Sequence, residues 1–190
     1  IEVEDVNLLT DLPQLFWNLP EGKPSKVRYA YHNHIADRFV KAYCKQIGDW
    51  CKKNHLAFTG HVLGEEGLKS QTGVVGEAMR CYRHFGIPGI DMLFDRHDYV
   101  TAKQAQSIVH QMGEDAVISE LYGGTGWNCD FRTYKLQGDW QAALGVTLRV
   151  PHHFWMTMKG EAKRDYPASI GYQSPWWDQD AMIEDHFARV

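Results

Sequence analysis

The residues of this chain best suited to chemistry lie in Ser119-Glu120-Leu121-Tyr122-Gly123-Gly124-Thr125-Gly126-Trp127, where a carboxylate closes an apolar run and three glycines free the backbone beyond it. A glutamate among aromatic and apolar neighbours loses hydration, which raises its pKa and suits a general acid directed at a glycosidic oxygen. An ion pair that locks the loop is the competing role for Glu120. A second locus, Thr59-Gly60-His61-Val62-Leu63-Gly64-Glu65-Glu66, supplies the further carboxylate that glycoside cleavage requires. The spacing of such a pair sets the outcome: about 5 Å suits a retaining displacement, and about 6.5–9.5 Å leaves room for the water of an inverting one. Adjacent glutamates at a helix start also serve simply as partners of the helix dipole.

Other residues fit the binding of a polyhydroxylated ligand. His61, Tyr122 and Trp127 belong to the two loci. Asp91, in Pro88-Gly89-Ile90-Asp91-Met92, ends a third apolar run and can accept from a sugar hydroxyl or form a salt bridge. The aromatic-polar stretch from Met158-Lys159-Gly160 through Lys163-Arg164-Asp165-Tyr166-Pro167 to Tyr172-Gln173-Ser174-Pro175-Trp176-Trp177 reads as a substrate-lining loop, with Lys159, Arg164, Asp165, Tyr172, Trp176 and Trp177 as its contacts. Its Trp pair can equally cap a core. Ten histidines raise the question of a catalytic metal. His32-Asn33-His34 has the H-x-H form of barrel metallohydrolases, but inside a helix its two side chains point about 200° apart. His152-His153 is adjacent rather than spaced for one ion.

These loci need elements to position them, and the hydrophobic periodicity gives a strand-then-helix alternation. Val27 to Lys53 reads as a helix with Ile35, Phe39, Tyr43, Ile47 and Trp50 as its apolar stripe, followed by a strand from Leu56 to Leu63. A helix from about Ser70 to His84 and a strand near Ile87 to Leu93 come next. A third helix runs from Thr101, its cap, to Met112, before a strand from Ala116 to Glu120. The fourth spans about Arg132 to Leu144 and precedes a strand within Val150 to Thr157. A terminal helix starts at Asp178, and Leu15-Phe16-Trp17 reads as the end of an earlier strand. Strand starts recur every 28 to 35 residues or so, about one βα unit, which implies a parallel sheet.

An open doubly wound sheet would concentrate its polar residues at one switch point, whereas here they follow several strands, as in a barrel. The expected fold is therefore α/β, a TIM-type (β/α) barrel. Because a closed barrel takes about 250 residues, residues 1–190 are expected to be a single segment of one, about four to five βα units, within a larger multidomain protein whose remaining chain completes it.

Composition sets the partner class. Apolar residues make up 44% and charged residues 23%, ordinary values for a packed domain. A net charge of −4 speaks against nucleic acid, which needs clustered Lys and Arg. No run of apolar residues is long enough to insert in a membrane, and the first thirty residues show no export-signal pattern. Seven Trp and nine Tyr, several of them in loops, suit the apolar faces of a carbohydrate substrate. Nothing calls for an organic cofactor. The four cysteines are scattered; Cys44 and Cys51, seven apart, sit about 10 Å apart along a helix and read as core residues.

Taken together, these stretches resemble the barrel of bacterial α-L-rhamnosidase-type glycoside hydrolases and the large glycosidases grouped near them. The resemblance spans most of the chain, and also draws on Gly138-Asp139-Trp140-Gln141 and on Pro175-Trp176-Trp177 with Glu184-Asp185. It implies a central barrel, an inverting mechanism with two carboxylates and a calcium ion that helps orient the sugar. Glu120, Glu65 and Glu66 match catalytic positions, and Asp139 and Trp140 join the substrate-binding candidates. A further family carboxylate, in an Asp-Glu-Pro segment, has no counterpart here, so the true partner of Glu120 can lie outside these residues. The resemblance favours a secreted or periplasmic bacterial enzyme. Two other classes compete: a non-catalytic carbohydrate-binding module, and a metal-dependent hydrolase or isomerase on a barrel fold.

Overall fold

The computed structural model describes residues 2–3, 6–161 and 165–190. Its centre is a four-stranded parallel sheet, β3 (Thr59–Gly60), β4 (Ile87–Met92), β5 (Ile118–Leu121) and β6 (Leu148–Pro151), in that spatial order. A two-stranded antiparallel ribbon, β1 (Glu2–Val3) with β2 (Val6–Asn7), and a short helix α1 (Leu8–Asp11) precede it. Chain order and spatial order coincide across the parallel sheet, with no reversal that would create a switch point. This is consistent with part of an α/β barrel wall.

Capping residues explain where the connecting helices start. Ser25 accepts from the Arg28 amide at 3.2 Å and opens α2 (Lys26–Phe39), which continues through a π-helical turn, Val40–Cys44, into α3 (Lys45–Lys53). Asp98 caps α6 (Tyr99–Met112) by accepting from Val100 N and from the Thr101 hydroxyl, and Gly113 closes it at φ +71°. The cap is thus Asp98 and not Thr101, whose hydroxyl is itself a donor to that aspartate. Asp130 caps α7 (Phe131–Ala143), and α8 (Asp180–Phe187) ends the chain.

The segment expected as one helix from Ser70 to His84 is two, α4 (Leu68–Val74) and α5 (Ala78–Tyr82). Gly76, at φ +89°, makes the break, and a Cβ there would lie 2.5 Å from the Cβ of Ala36 and 2.6 Å from its Cα. Both the left-handed backbone and the contact with α2 therefore require glycine. Gly76→Ala is expected to cost about 2–4 kcal/mol, read as a lower denaturation midpoint with an unchanged m-value.

That contact also overturns the apolar stripe expected on α2 and α3. The buried face is Val27, Ala30, Ala36 and Cys44, whereas Ile35, Tyr43 and Trp50 are exposed and only Phe39 packs partly on the core. Small residues let the helix approach α5 closely, and the π-turn shifts the phase that a uniform 3.6-residue period assumes. Leu15-Phe16-Trp17 is not a strand end. A 3₁₀ turn, Leu12–Leu15, ends there, Phe16 N and Trp17 N both donate to Pro13 O, and the two rings stand 74% and 69% exposed. β3 is also shorter than the expected Leu56–Leu63.

The sheet has unlike faces. Ile90 and Met92, with Val117 just before β5, pack against Ala102, Ala105, Ile108 and Val109 of α6, and Leu121 packs with Tyr134 and Ile183 beneath α7 and α8. Cys44, Cys81 and Cys129 are buried free thiols, as core residues. The opposite face carries Asp91, Ile118, Glu120, Leu148 and Val150, all half-buried or exposed. Among the described residues, no helix is long and apolar enough to cross a membrane.

Candidate active site

Parallel register brings the chemistry together. Asp91 and Glu120 are Cα partners on β4 and β5, so both side chains leave the same face of the sheet near its C-terminal edge. His61 follows β3 directly. His152 follows β6, its amide donating to Leu121 O at 2.8 Å. Four consecutive strand ends thus supply one side chain each.

Ligand atoms of His61, Asp91 and Glu120 lie within 4.8 Å of one another. His61 Nε2 stands 3.8 Å from Glu120 Oε2, and His152 Nε2 stands 3.8 Å from Glu120 Oε1. The carboxylate of Glu120 therefore has an imidazole at each oxygen, beyond hydrogen-bond length but within the range that tightens around a bound ligand. Asp91 Oδ1 and His152 Nδ1 are buried and have no hydrogen-bond partner among the described residues. Burying a polar atom unpaired is costly, so both atoms have capacity for a ligand.

The loop after Glu120 is shaped by backbone constraint. Tyr122 adopts φ +76°, a left-handed conformation rare for an aromatic residue. A Cβ on Gly123 would fall 2.8 Å from His152 Nδ1, so glycine here is what admits the imidazole. Gly124 N and Gly126 N donate to Tyr166 O and Pro167 O, docking the later loop beside the site. Aromatic rings follow from His152: it faces Tyr166, His153 packs on Trp155, and Trp155 packs on Trp127 at 5.4 Å between centroids.

Glu65 and Glu66 diverge. Glu66 is exposed. Glu65 is 4% exposed, accepts the Asp91 amide on Oε1 at 2.6 Å, and accepts the Tyr82 hydroxyl on Oε2. Its carbonyl is held by two buried side-chain amides, Gln71 Nε2 at 3.0 Å and Gln104 Nε2 at 3.2 Å. Burial pushes its carboxyl up to about 8, against the opposing effect of the two hydrogen bonds it accepts. Burial, then the neighbouring Glu65, push the Tyr82 phenol up as well. His61 Nδ1 lies 3.8 Å from Glu65 Oε1. Glu65 therefore lies behind His61 and Asp91 and holds the Asp91 backbone.

The remaining candidates separate by position. Trp127 borders the aromatic cluster beside His152 and His153. Tyr122 is buried on the helix side, its hydroxyl donating to Tyr134 O at 3.3 Å, away from the Glu120 cluster. Asp139 lies on α7 in ion pairs with Lys135 and with His186 of α8, and Trp140 packs on His97 and Tyr99. Both belong to the helical layer and lie apart from the cluster of His61, Asp91, Glu120 and His152. Asp165 and Lys159 are exposed, Tyr172 donates to Met156 O, and Trp176 packs on Phe131. Trp177 lines a separate cavity, and Arg164 lies outside the described residues. His152 and Trp155 had no place among the expected contacts, because adjacent histidines suggest no site until a strand end turns one of them inward.

No family profile matches the chain. It is 26% identical over 179 residues to a protein of Formosa agariphila named "Putative beta-glucuronidase", an alignment covering 85% of this chain and 15% of that protein. Its structure is similar to that of a rhamnosidase from Novosphingobium sp. PP1Y, with a TM-score of 0.57 and 21% identity over 67% of this chain and 12% of the rhamnosidase. The chain thus spans under a sixth of the length of either relative. In fold this chain matches part of a rhamnosidase, and in sequence it is similar to part of a protein named for a second glycosidase activity.

Proposed function

We propose that the chain forms part of the active site of a glycoside hydrolase, in the wall of a TIM-type barrel that a longer polypeptide completes, with Glu120 as the carboxylate that exchanges a proton with the reacting atoms. The observation that carries this reading is the convergence of His61, Asp91, Glu120 and His152 from four consecutive strand ends, beside aromatic rings that suit a sugar face. Barrel enzymes assemble their sites from several strand ends in this way. The nearest carboxylate oxygens of Asp91 and Glu120 lie within 4.8 Å of each other, closer than the about 6.5–9.5 Å usual for an inverting pair. Asp91 and the two histidines serve as contacts to sugar hydroxyls, and the second catalytic carboxylate of an inverting reaction comes from elsewhere in the full-length protein. An α-L-rhamnoside is the substrate favoured by the resemblance. Release of one sugar from a panel of aryl glycosides that includes the α-L-rhamnoside and a β-glucuronide, by the full-length protein, tests this. A protein that binds a sugar and releases none is a carbohydrate-binding module.

The calcium implied by the resemblance is not matched by these residues alone. Calcium takes six to eight oxygen ligands or so, whereas His61, Asp91 and Glu120 offer one imidazole and two carboxylates. That donor set, with the unpaired Asp91 Oδ1, fits a borderline cation such as Zn²⁺ and favours a metal-dependent hydrolase as a second reading. For the glycosidase, treatment with a strong chelator is expected to leave turnover within about twofold once calcium is restored. Recovery only on adding Zn²⁺ or Mn²⁺ supports the second reading.

A further inference from the structure

On the helix side of β6, away from Glu120, α8 leaves a cavity of about 220 Å³, roughly the space of seven waters. Arg149 lies in its wall, but its charge is already matched: Nη2 is 2.7 Å from Glu184 Oε2, Nη1 donates to the Tyr122 hydroxyl at 3.3 Å, and the guanidinium stacks 3.7 Å over the Phe187 ring. Asp180, also in the wall, is half-buried, and no hydrogen bond or ion pair reaches its carboxylate among the described residues. The cavity therefore holds one carboxylate more than it holds cations. Trp177 and Phe154 add aromatic surface to the same wall.

We propose that this cavity binds a small organic cation, an ammonium group carrying a few carbons, whose charge is matched by Asp180 and whose body packs on Trp177 and Phe154. An unpaired carboxylate beside aromatic rings is the environment that recognises alkylammonium groups. Position at the first turn of α8 gives the Asp180 charge some dipole support, and Arg149, engaged with Glu184, offsets it only in part. Burial, and then Glu184, raise its pKa, the direction expected of a carboxylate awaiting a cation. Arg149 alternates with Leu148 and Val150 along β6, so the cavity and the Glu120 cluster lie on opposite faces of the strand, and the two readings stand independently.

Isothermal titration of the full-length protein with choline chloride at constant ionic strength is the test, with 3,3-dimethylbutan-1-ol as the neutral isostere. Choline is expected to bind at least about tenfold more tightly than the alcohol. Asp180→Asn should abolish that preference, while Asp178→Asn, at an exposed neighbour, should keep it. If Asp180→Asn fails to fold, Trp177→Leu is expected to weaken choline binding without touching the carboxylate. Equal affinity for the alcohol, choline binding unchanged in Asp180→Asn or Trp177→Leu, or no binding of choline at tens of millimolar would each overturn the proposal.

Discussion

Replacing Glu120 with glutamine in the full-length protein is expected to lower kcat for its glycoside by at least about a hundredfold, with KM changed far less. Glutamine keeps the length and one oxygen of the side chain, so the packing between His61 and His152 persists. It removes the charge and the proton-transfer capacity that act only as the glycosidic bond breaks. Interactions confined to the transition state appear in kcat, whereas sugar contacts made in the ground state appear in KM. Removing His152 is the informative contrast, since His152→Ala takes away a neighbour of Glu120 Oε1 and leaves the carboxylate in place. A loss concentrated in kcat for Glu120→Gln assigns the chemistry to this carboxylate. A rise in KM alone would make Glu120 a sugar ligand.

Glu65 should govern how stability varies with pH. Its folded pKa, about 8, lies above the ordinary 4.5. The folded state therefore holds a proton that the unfolded chain has already released, so stability falls as pH rises between these values. The contribution is fully present below about 4.5 and is lost as pH passes through about 8, a change on the order of a few kcal/mol for a group this buried. Glutamine is neutral throughout, matches the shape of the carboxyl, and its side-chain oxygen can accept the Asp91 amide as Oε1 does in the parent. Glu65→Gln should therefore flatten the curve of denaturation free energy between pH 5 and pH 9 relative to the parent. Equal slopes in parent and variant would mean that Glu65 is ionised across that range. Because Glu65 also carries the Asp91 amide, the variant reports on structure without removing a member of the Glu120 cluster.

The parallel alternation was legible because buried strands and amphipathic helices differ in period, and β4, β5, α6 and α7 fall where the pattern puts them. Glu120, Asp91 and His61 were legible for a related reason: each polar residue ends or follows an apolar run. The rest depends on contacts between distant segments. The α2 stripe failed because Gly76 draws small residues inward and a π-turn shifts the phase, neither of which a period can report. Tyr122, Asp139 and Trp140 read as ligands by chemical type, yet Tyr122 turns toward Tyr134, and the other two sit in the helical layer, apart from the Glu120 cluster. Glu65 looked like an acid of the site, and only its place beneath Asp91, with Tyr82, Gln71 and Gln104 around it, shows a buried anchor. His152 emerged only when β6 paired with β5 and Gly123 left room for the imidazole.

The most direct test of sugar cleavage at this cluster follows sugar release and ligand binding together, for the full-length parent and Glu120→Gln, on the best aryl glycoside of the panel. Expected is steady release by the parent, with a variant that still binds the glycoside but releases it at least about a hundredfold more slowly. Turnover by the variant equal to that of the parent, or a parent that binds the glycoside and never cleaves it, would contradict the assignment.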